Sequence, residues 1–191
     1  MEIIQKKIVD KKVIWLIKEI LGSSYDIKPG QGIPIGNLTS QLFANIYLNE
    51  LDQFVKHQLR VRYYLRYMDD FLILDFDKRK LHQIKEEIRE FLKNKLNLEL
   101  HPKKANVFPI EKGIDFLGYR IFGIYRLLRK NTVKRFIKRM KVYQRKLRKG
   151  SMTEEKFNQS LQSWLAYAKF GNSWRLRESI FRKLKIIYAP T

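Results

Sequence analysis

The sequence predicts an α+β unit followed by a basic helical unit, and three observations lead there. Apolar residues recur at three- and four-residue spacings through 3–21, 41–59 and 78–96, the period of amphipathic helices. Strand-forming residues, Tyr63, Tyr64, Leu65 and Tyr67 on one side and Phe71 to Leu74 on the other, bracket Met68-Asp69-Asp70. After Tyr125 the apolar positions are set into Lys- and Arg-rich helical sequence. Strands and helices first, then helices alone, argue for an α+β fold with a helical second part, divided near residues 125 and 126.

Taken in order, Ile3, Ile4 and Ile8, then Val13 to Leu21, read as helix with a break around Asp10, ended by Gly22-Ser23-Ser24. Tyr25 to Thr39 contains Gly30, Gly32, Gly36, Pro29 and Pro34 and reads as a structured loop. Ser40 is placed to cap a helix over 41–59 whose apolar face includes Phe43, Ile46, Tyr47, Leu51 and Val55. A hairpin turning at Met68-Asp69-Asp70 follows, then a helix over 78–96 carrying Leu81, Ile84, Ile88, Phe91 and Leu92. Short strands are expected at 98–101, 103–109 and 114–122. The helical part begins with 131–148, where Phe136, Ile137, Met140, Tyr143 and Leu147 form the inward stripe. Gly150-Ser151 breaks it, a helix starts at Thr153 to Lys156, and a third covers 174–187. No internal repeat or low-complexity tract interrupts this order.

Composition narrows the function. In 191 residues, 45% hydrophobic content supports a packed core, while 40 Lys and Arg against 19 Asp and Glu leave a net charge of +21. Such an excess seeks a polyanion, and nucleic acid fits better than a membrane surface or an acidic protein. Without cysteine there are no disulfides, thiolate-bound metals or Cys nucleophiles. His57, His82 and His101 have no paired-ligand spacing for zinc. Apolar stretches fall well short of the ~20 residues that span a bilayer, and the N-terminus has no signal-peptide core, so a cytoplasmic protein is expected.

Asp69-Asp70 is the sharpest chemical feature. Alone, an Asp pair in a hairpin turn is ordinary turn chemistry. Carboxylate oxygens are also the hard ligands that Mg²⁺ takes, one or two at a time together with substrate phosphates. Two such ions about 4 Å apart activate an attacking hydroxyl and stabilise the leaving oxygen in phosphoryl transfer.

The surrounding boxes favour the chemical reading. Tyr67-Met68-Asp69-Asp70 resembles the catalytic box of reverse transcriptases. Upstream, Gly32-Ile-Pro-Ile-Gly-Asn-Leu-Thr-Ser-Gln-Leu-Phe-Ala-Asn-Ile-Tyr-Leu48 resembles the family's loop and helix beneath the nascent base pair. Downstream, His101-Pro102-Lys103-Lys104 resembles the Lys-bearing palm segment, and Phe116-Leu117-Gly118-Tyr119 the primer-grip hairpin. The four boxes stand in the family's order over residues 30–120, and the basic helices after Tyr125 resemble the thumb.

The resemblance implies a partial right-hand polymerase: an antiparallel palm with packed helices over 1–125 and a helical thumb over 126–191, without fingers. It implies Asp69 as principal metal ligand, Asp70 as a weaker or orienting one, and two Mg²⁺ ions in the complete enzyme. Lys104 would stand near the leaving pyrophosphate. Ile35, Gly36, Asn37, Ser40, Gln41, Tyr67 and Met68 would contact nucleotide or template, with Gly36 allowing close backbone approach. Leu117, Gly118 and Tyr119 would hold the primer end. On the basic helix, Lys134, Arg135, Lys138, Arg139, Lys141 and Arg145 would meet phosphates without reading sequence. Trp164, Tyr167 and Trp174 are stacking candidates on nucleic acid, though helical spacing favours the core for them.

Ile35 and Gln41 narrow the resemblance to reverse transcriptases of diversity-generating retroelements, since group II intron and retron enzymes generally show Gln before that Gly and Ser-Pro after it. In that narrower family the change accompanies error-prone copying of template adenines. Ile in place of a long polar side chain would remove a hydrogen-bonding check on base-pair shape. Implied partners are an RNA template, a DNA primer, dNTPs and a small basic accessory protein.

A further palm aspartate is expected ahead of the loop-and-helix box, and neither Asp10 nor Asp26 lies in a strand-like context. The chain is therefore expected to be inactive, or nearly so, on its own. A group II intron or retron-like reverse transcriptase, and a non-catalytic RNA-binding module derived from one, are the alternatives.

Overall fold

The computed structural model describes residues 1–22 and 38–186. The fold is α+β, in two compact units over 1–107 and 108–191.

In the first unit, α1 (Glu2–Gln5) and α2 (Lys11–Gly22) are separate helices. The expected break at Asp10 has a physical cause: its carboxylate accepts from the Lys12 and Val13 amides at 2.8 and 3.1 Å and caps α2. Helix α3 (Leu38–Gln53) begins before Ser40, which therefore lies inside the first turn and is not its cap. The helix continues as a π-turn over Phe54–Gln58, where the Leu59 amide reaches the Phe54 carbonyl five residues back at 3.0 Å.

Strands β1 (Tyr63–Tyr67) and β2 (Asp70–Leu74) form the predicted antiparallel hairpin, with Tyr67 opposite Asp70. Helix α4 (Lys78–Leu96) covers the predicted span. Asp77 caps its start by accepting from the Arg79 and Lys80 amides, and left-handed Asn97 ends it. Leu51, Val55, Val61, Ile84, Ile88, Leu92 and Leu96 make the buried core between α3 and α4, with Tyr64, Phe71 and Ile73 of the hairpin against it. Phe54 stacks on Phe91 at 4.1 Å, and the Tyr47 hydroxyl donates to the Leu96 carbonyl at 2.6 Å, tying α3 to the end of α4.

No strand forms at 98–101 or 103–109. His101 to Asn106 instead close a tight turn on their own backbone, with the Lys104 and Ala105 amides both donating to the His101 carbonyl. The alternation that suggests strands there is too short and too polar to pair.

The second unit opens with β3 (Ile114–Phe116), β4 (Tyr119–Ile121) and β5 (Arg126–Leu128) in an antiparallel sheet of that order. The strand expected over 114–122 is thus a hairpin turning at Leu117-Gly118, where the resemblance implies one, and β5 lies in sequence to which no element is assigned. Helices α5 (Lys130–Arg148), α6 (Glu154–Lys169) and α7 (Trp174–Leu184) follow. The third helix, expected to reach Ile187, stops at Leu184, where left-handed Lys185 ends it. Phe136, Met140, Phe157, Leu161, Trp164, Leu165, Ala168, Ile180, Phe181 and Leu184 form their core, and Leu128 and Tyr119 of the sheet join it. This packing makes the compact units divide after Val107, earlier than the 125/126 division read from the change in composition.

Candidate functional site

Met68 and Asp69 make the two-residue turn between β1 and β2, and Asp70 begins β2. Met68 has φ 56°, left-handed backbone that a non-glycine residue adopts only when its surroundings hold it there. Both Asp69 and Asp70 are exposed at this end of the hairpin. Neither Asp69 nor Asp70 has an ion pair or side-chain hydrogen bond among the described residues.

The support beneath the turn is polar. Arg66 of β1 reaches α3 and the turn together. Its Nε and Nη2 donate to the two Asp52 carboxylate oxygens at 2.8 and 2.6 Å, and its Nη1 donates to Asn45 Oδ1 at 3.0 Å and to the Met68 carbonyl at 2.8 Å. The Tyr64 hydroxyl donates to Asp52 Oδ1 at 2.6 Å. Burial acts to raise the Asp52 pKa, but the Arg66 and Tyr64 hydrogen bonds outweigh it and hold the carboxyl below its ordinary value. Tyr64 moves the other way, its phenol raised by burial and by donation to that carboxylate.

As a metal site, the Asp69-Asp70 pair has the right chemistry: two exposed oxygen donors, leaving water and phosphate to complete the shell. The described residues hold no cluster of three or more potential ligands, so these two donors suit one ion more readily than two. Asp10, one of the two upstream aspartates, is engaged in capping α2. Asp26, Ile35, Gly36 and Asn37 lie outside the described residues.

The other expected residues fall in different places. Ser40 and Gln41 occupy the first turn of α3, with Gln41 exposed. Tyr67 is exposed beside the turn. Lys104 is exposed in the His101 turn. In the second unit, Leu117 and Gly118 turn the β3–β4 hairpin with φ of 48° and 86°. A Cβ at Gly118 would overlap the Tyr167 hydroxyl from α6, so glycine is required there by space as well as by backbone. Tyr119 donates to the Tyr167 carbonyl at 2.7 Å, and their rings lie 4.7 Å apart; burial raises both phenols. On α5, Lys134, Arg135, Lys138, Arg139, Lys141 and Arg145 are all exposed, opposite buried Phe136 and Met140. Trp164 is core, stacked on Phe136 at 3.8 Å; Trp174 is half exposed, against the core placement that its spacing favours.

The comparison with known proteins decides the family. Residues 2–121 match the family described as "Reverse transcriptase (RNA-dependent DNA polymerase)". The chain belongs to the reverse transcriptase family. Among curated relatives, it is 28% identical over 200 residues to the group II intron-encoded protein LtrA of Lactococcus lactis subsp. cremoris, an alignment covering 70% of this chain and 33% of that protein. It is 27% identical over 158 residues to protein YkfC of Escherichia coli K12, covering 63% of this chain and 42% of the relative. The chain thus spans less than half the length of the curated relatives it matches. The family match takes in the Asp69-Asp70 hairpin and its support on α3, and it ends at β4, before the basic helices of this reverse transcriptase-family chain. No helix among the described residues is long and apolar enough to cross a membrane.

Sequence reading finds Asp69 and Asp70 but misses Asp52 and Arg66. The available signal is spacing: Asn45 and Asp52 are seven residues apart on one helix, hence on one face, and Tyr64 and Arg66 alternate on one face of β1.

Proposed function

We propose that this chain is the palm and thumb part of an RNA-directed DNA polymerase that joins deoxynucleotides to a primer 3′-hydroxyl on an RNA template. The observation that carries the reading is the exposed Asp69-Asp70 pair at a turn held from below by Arg66, in a chain of the reverse transcriptase family. Asp69 is the principal ligand and Asp70 the second. Mg²⁺ bound there would supply activation of the attacking hydroxyl and stabilisation of charge on phosphate. The chain's own residues do the rest: the β1–β2 turn fixes the two carboxylates, Lys104 offers a cation to pyrophosphate, and the Leu117–Tyr119 turn supports the primer end. The exposed basic face of α5 meets backbone phosphates.

Ile35 and Gln41 favour the diversity-generating type, with relaxed copying of template adenines and a basic accessory protein as partner. The similarity to a group II intron-encoded protein favours a second reading, a group II-type enzyme. Misincorporation opposite adenine well above that opposite the other bases, in an enzyme preparation that extends, separates the two.

Since the described residues offer no third carboxylate beside Asp69 and Asp70, we place this chain alone at little or no primer extension. The test pairs hybrid binding with extension on an RNA template in Mg²⁺ and dNTPs, for the parent and Asp69→Ala. Salt-sensitive hybrid binding by both with extension by neither is expected. Absence of hybrid binding contradicts the polymerase reading. Extension by the parent that is lost in Asp69→Ala contradicts the incomplete site and upholds the polymerase.

A further inference from the structure

The most heavily engaged polar group in the first unit is not part of any expected catalytic set. Arg66 lies three residues before Asp69, and four of its five N–H donors are directed: two into Asp52, one to Asn45 and one to the Met68 carbonyl. The side chains of Arg66 and Asp52 are only 11% and 26% exposed, so the pair is largely shielded from competing water. Tyr64 fixes the same Asp52 oxygen from the hairpin side. Asn45 contacts the turn twice, through Arg66 and through Nδ2 on Met68 Sδ at 3.6 Å. The residue at the centre of these contacts, Met68, has the left-handed φ that needs outside support.

Two consequences follow from the charges. An arginine this near an exposed carboxylate pair is attracted to it, and such a pairing would occupy the oxygens a cation needs. Asp52 takes the guanidinium's fork in bidentate fashion and thereby keeps it engaged with α3. We propose that Asp52 is a positioning residue for the Asp69-Asp70 site: it locks Arg66 onto the Met68 carbonyl, which sets the turn, and it keeps that cation off the two metal-binding carboxylates. Asn45 assists from the same helix face. The inference rests on the metal-site reading given above, and it requires the planar fork itself. Lysine at position 66 keeps the charge but cannot span Asp52 and the Met68 carbonyl together.

The test compares the parent chain with Asp52→Asn, Arg66→Lys and Asp69→Asn. Mn²⁺ affinity is read from the electron paramagnetic resonance of free Mn²⁺, and amide hydrogen exchange is followed at residues 68–70, with α4 amides as an internal control of the fold. The expected result is faster exchange at the turn and Mn²⁺ affinity weakened about tenfold or more in Asp52→Asn and Arg66→Lys, the range typical of lost outer-shell support. Exchange in α4 accelerates less than exchange at the turn. Parent-like turn exchange and parent-like Mn²⁺ affinity in both variants overturn the proposal. So does equal loss of protection in α4, which would make the network a general brace of the unit. If the parent and Asp69→Asn bind Mn²⁺ equally, the metal reading falls instead. Turn exchange then decides the positioning claim by itself: faster in Asp52→Asn upholds it, unchanged overturns it.

Discussion

Met68 at the turn of the β1–β2 hairpin and Leu117 at the turn of the β3–β4 hairpin both carry positive φ, 56° and 48°, in chains of strand-forming residues. Their supports differ in kind. Below Met68 lies a charged network, Arg66 with Asp52, Asn45 and Tyr64, and the turn's own side chains project free acid groups. Beside Leu117 the next residue is glycine, and an aromatic ring, Tyr167, fills the space a side chain would need. A hydrogen-bonded brace fixes a carbonyl and leaves the edge polar and open. A packed aromatic brace fixes the backbone by volume and leaves no room for added atoms. The first suits a place where a cation must reach carboxylates. The second suits a backbone against which something else rests.

Substitutions that exchange one kind of support for the other test this contrast. The largest effect is expected for Gly118→Ala. Positive φ and overlap with Tyr167 combine, and the Tyr167 ring packs against that of Tyr119, so the unit should lose about 2–4 kcal/mol, read from urea unfolding. In a Tyr167→Ala background the same change should cost less, since only the backbone strain remains. Next comes Asp52→Asn, which should destabilise the first unit by about 2 kcal/mol at neutral pH, because a charge-assisted bidentate pair is replaced by weaker bonds.

The acid limb sharpens the same point. The Asp52 carboxyl is held below its ordinary value of 3.8, so its stabilisation is complete above that value and is lost as pH falls through the lowered folded-state pKa. Stability of the parent should therefore drop more steeply below about pH 4 than that of Asp52→Asn, as followed by thermal melting across pH. The smallest effect is expected for Leu117→Gly. The side chain is 46% exposed, and removing the left-handed penalty should raise stability by up to about 1 kcal/mol. Met68→Gly should not gain in the same way, because the Asn45 contact with the Met68 sulfur is lost.

What the sequence made legible follows the strength of local signals. Helix α4 matches its expected limits because an apolar period, an Asp cap and a left-handed Asn agree along nineteen residues. The β1–β2 hairpin is legible because aromatic and aliphatic runs flank a turn-forming pair. The strands expected at 98–109 fail because short alternating segments have no partner written into them, and β5 is missed because three residues carry too little pattern. Ser40 is misread as a cap because Leu38 and Thr39 already lie in the helix. At the site, the ligands are visible as a local pair, whereas their support spans Asn45 to Met68 and depends on which strand face meets which helix face. That is tertiary information. The exposed basic face of α5 is legible because charge and apolar stripe share one helical period.

The most direct measurement of the central claim, that Asp69 and Asp70 form the cation site, is paramagnetic broadening of amide resonances by substoichiometric Mn²⁺. The account predicts selective loss of signal at residues 67–71, abolished in the Asp69→Asn, Asp70→Asn double variant. Broadening centred elsewhere, or the same broadening in that variant, would contradict it.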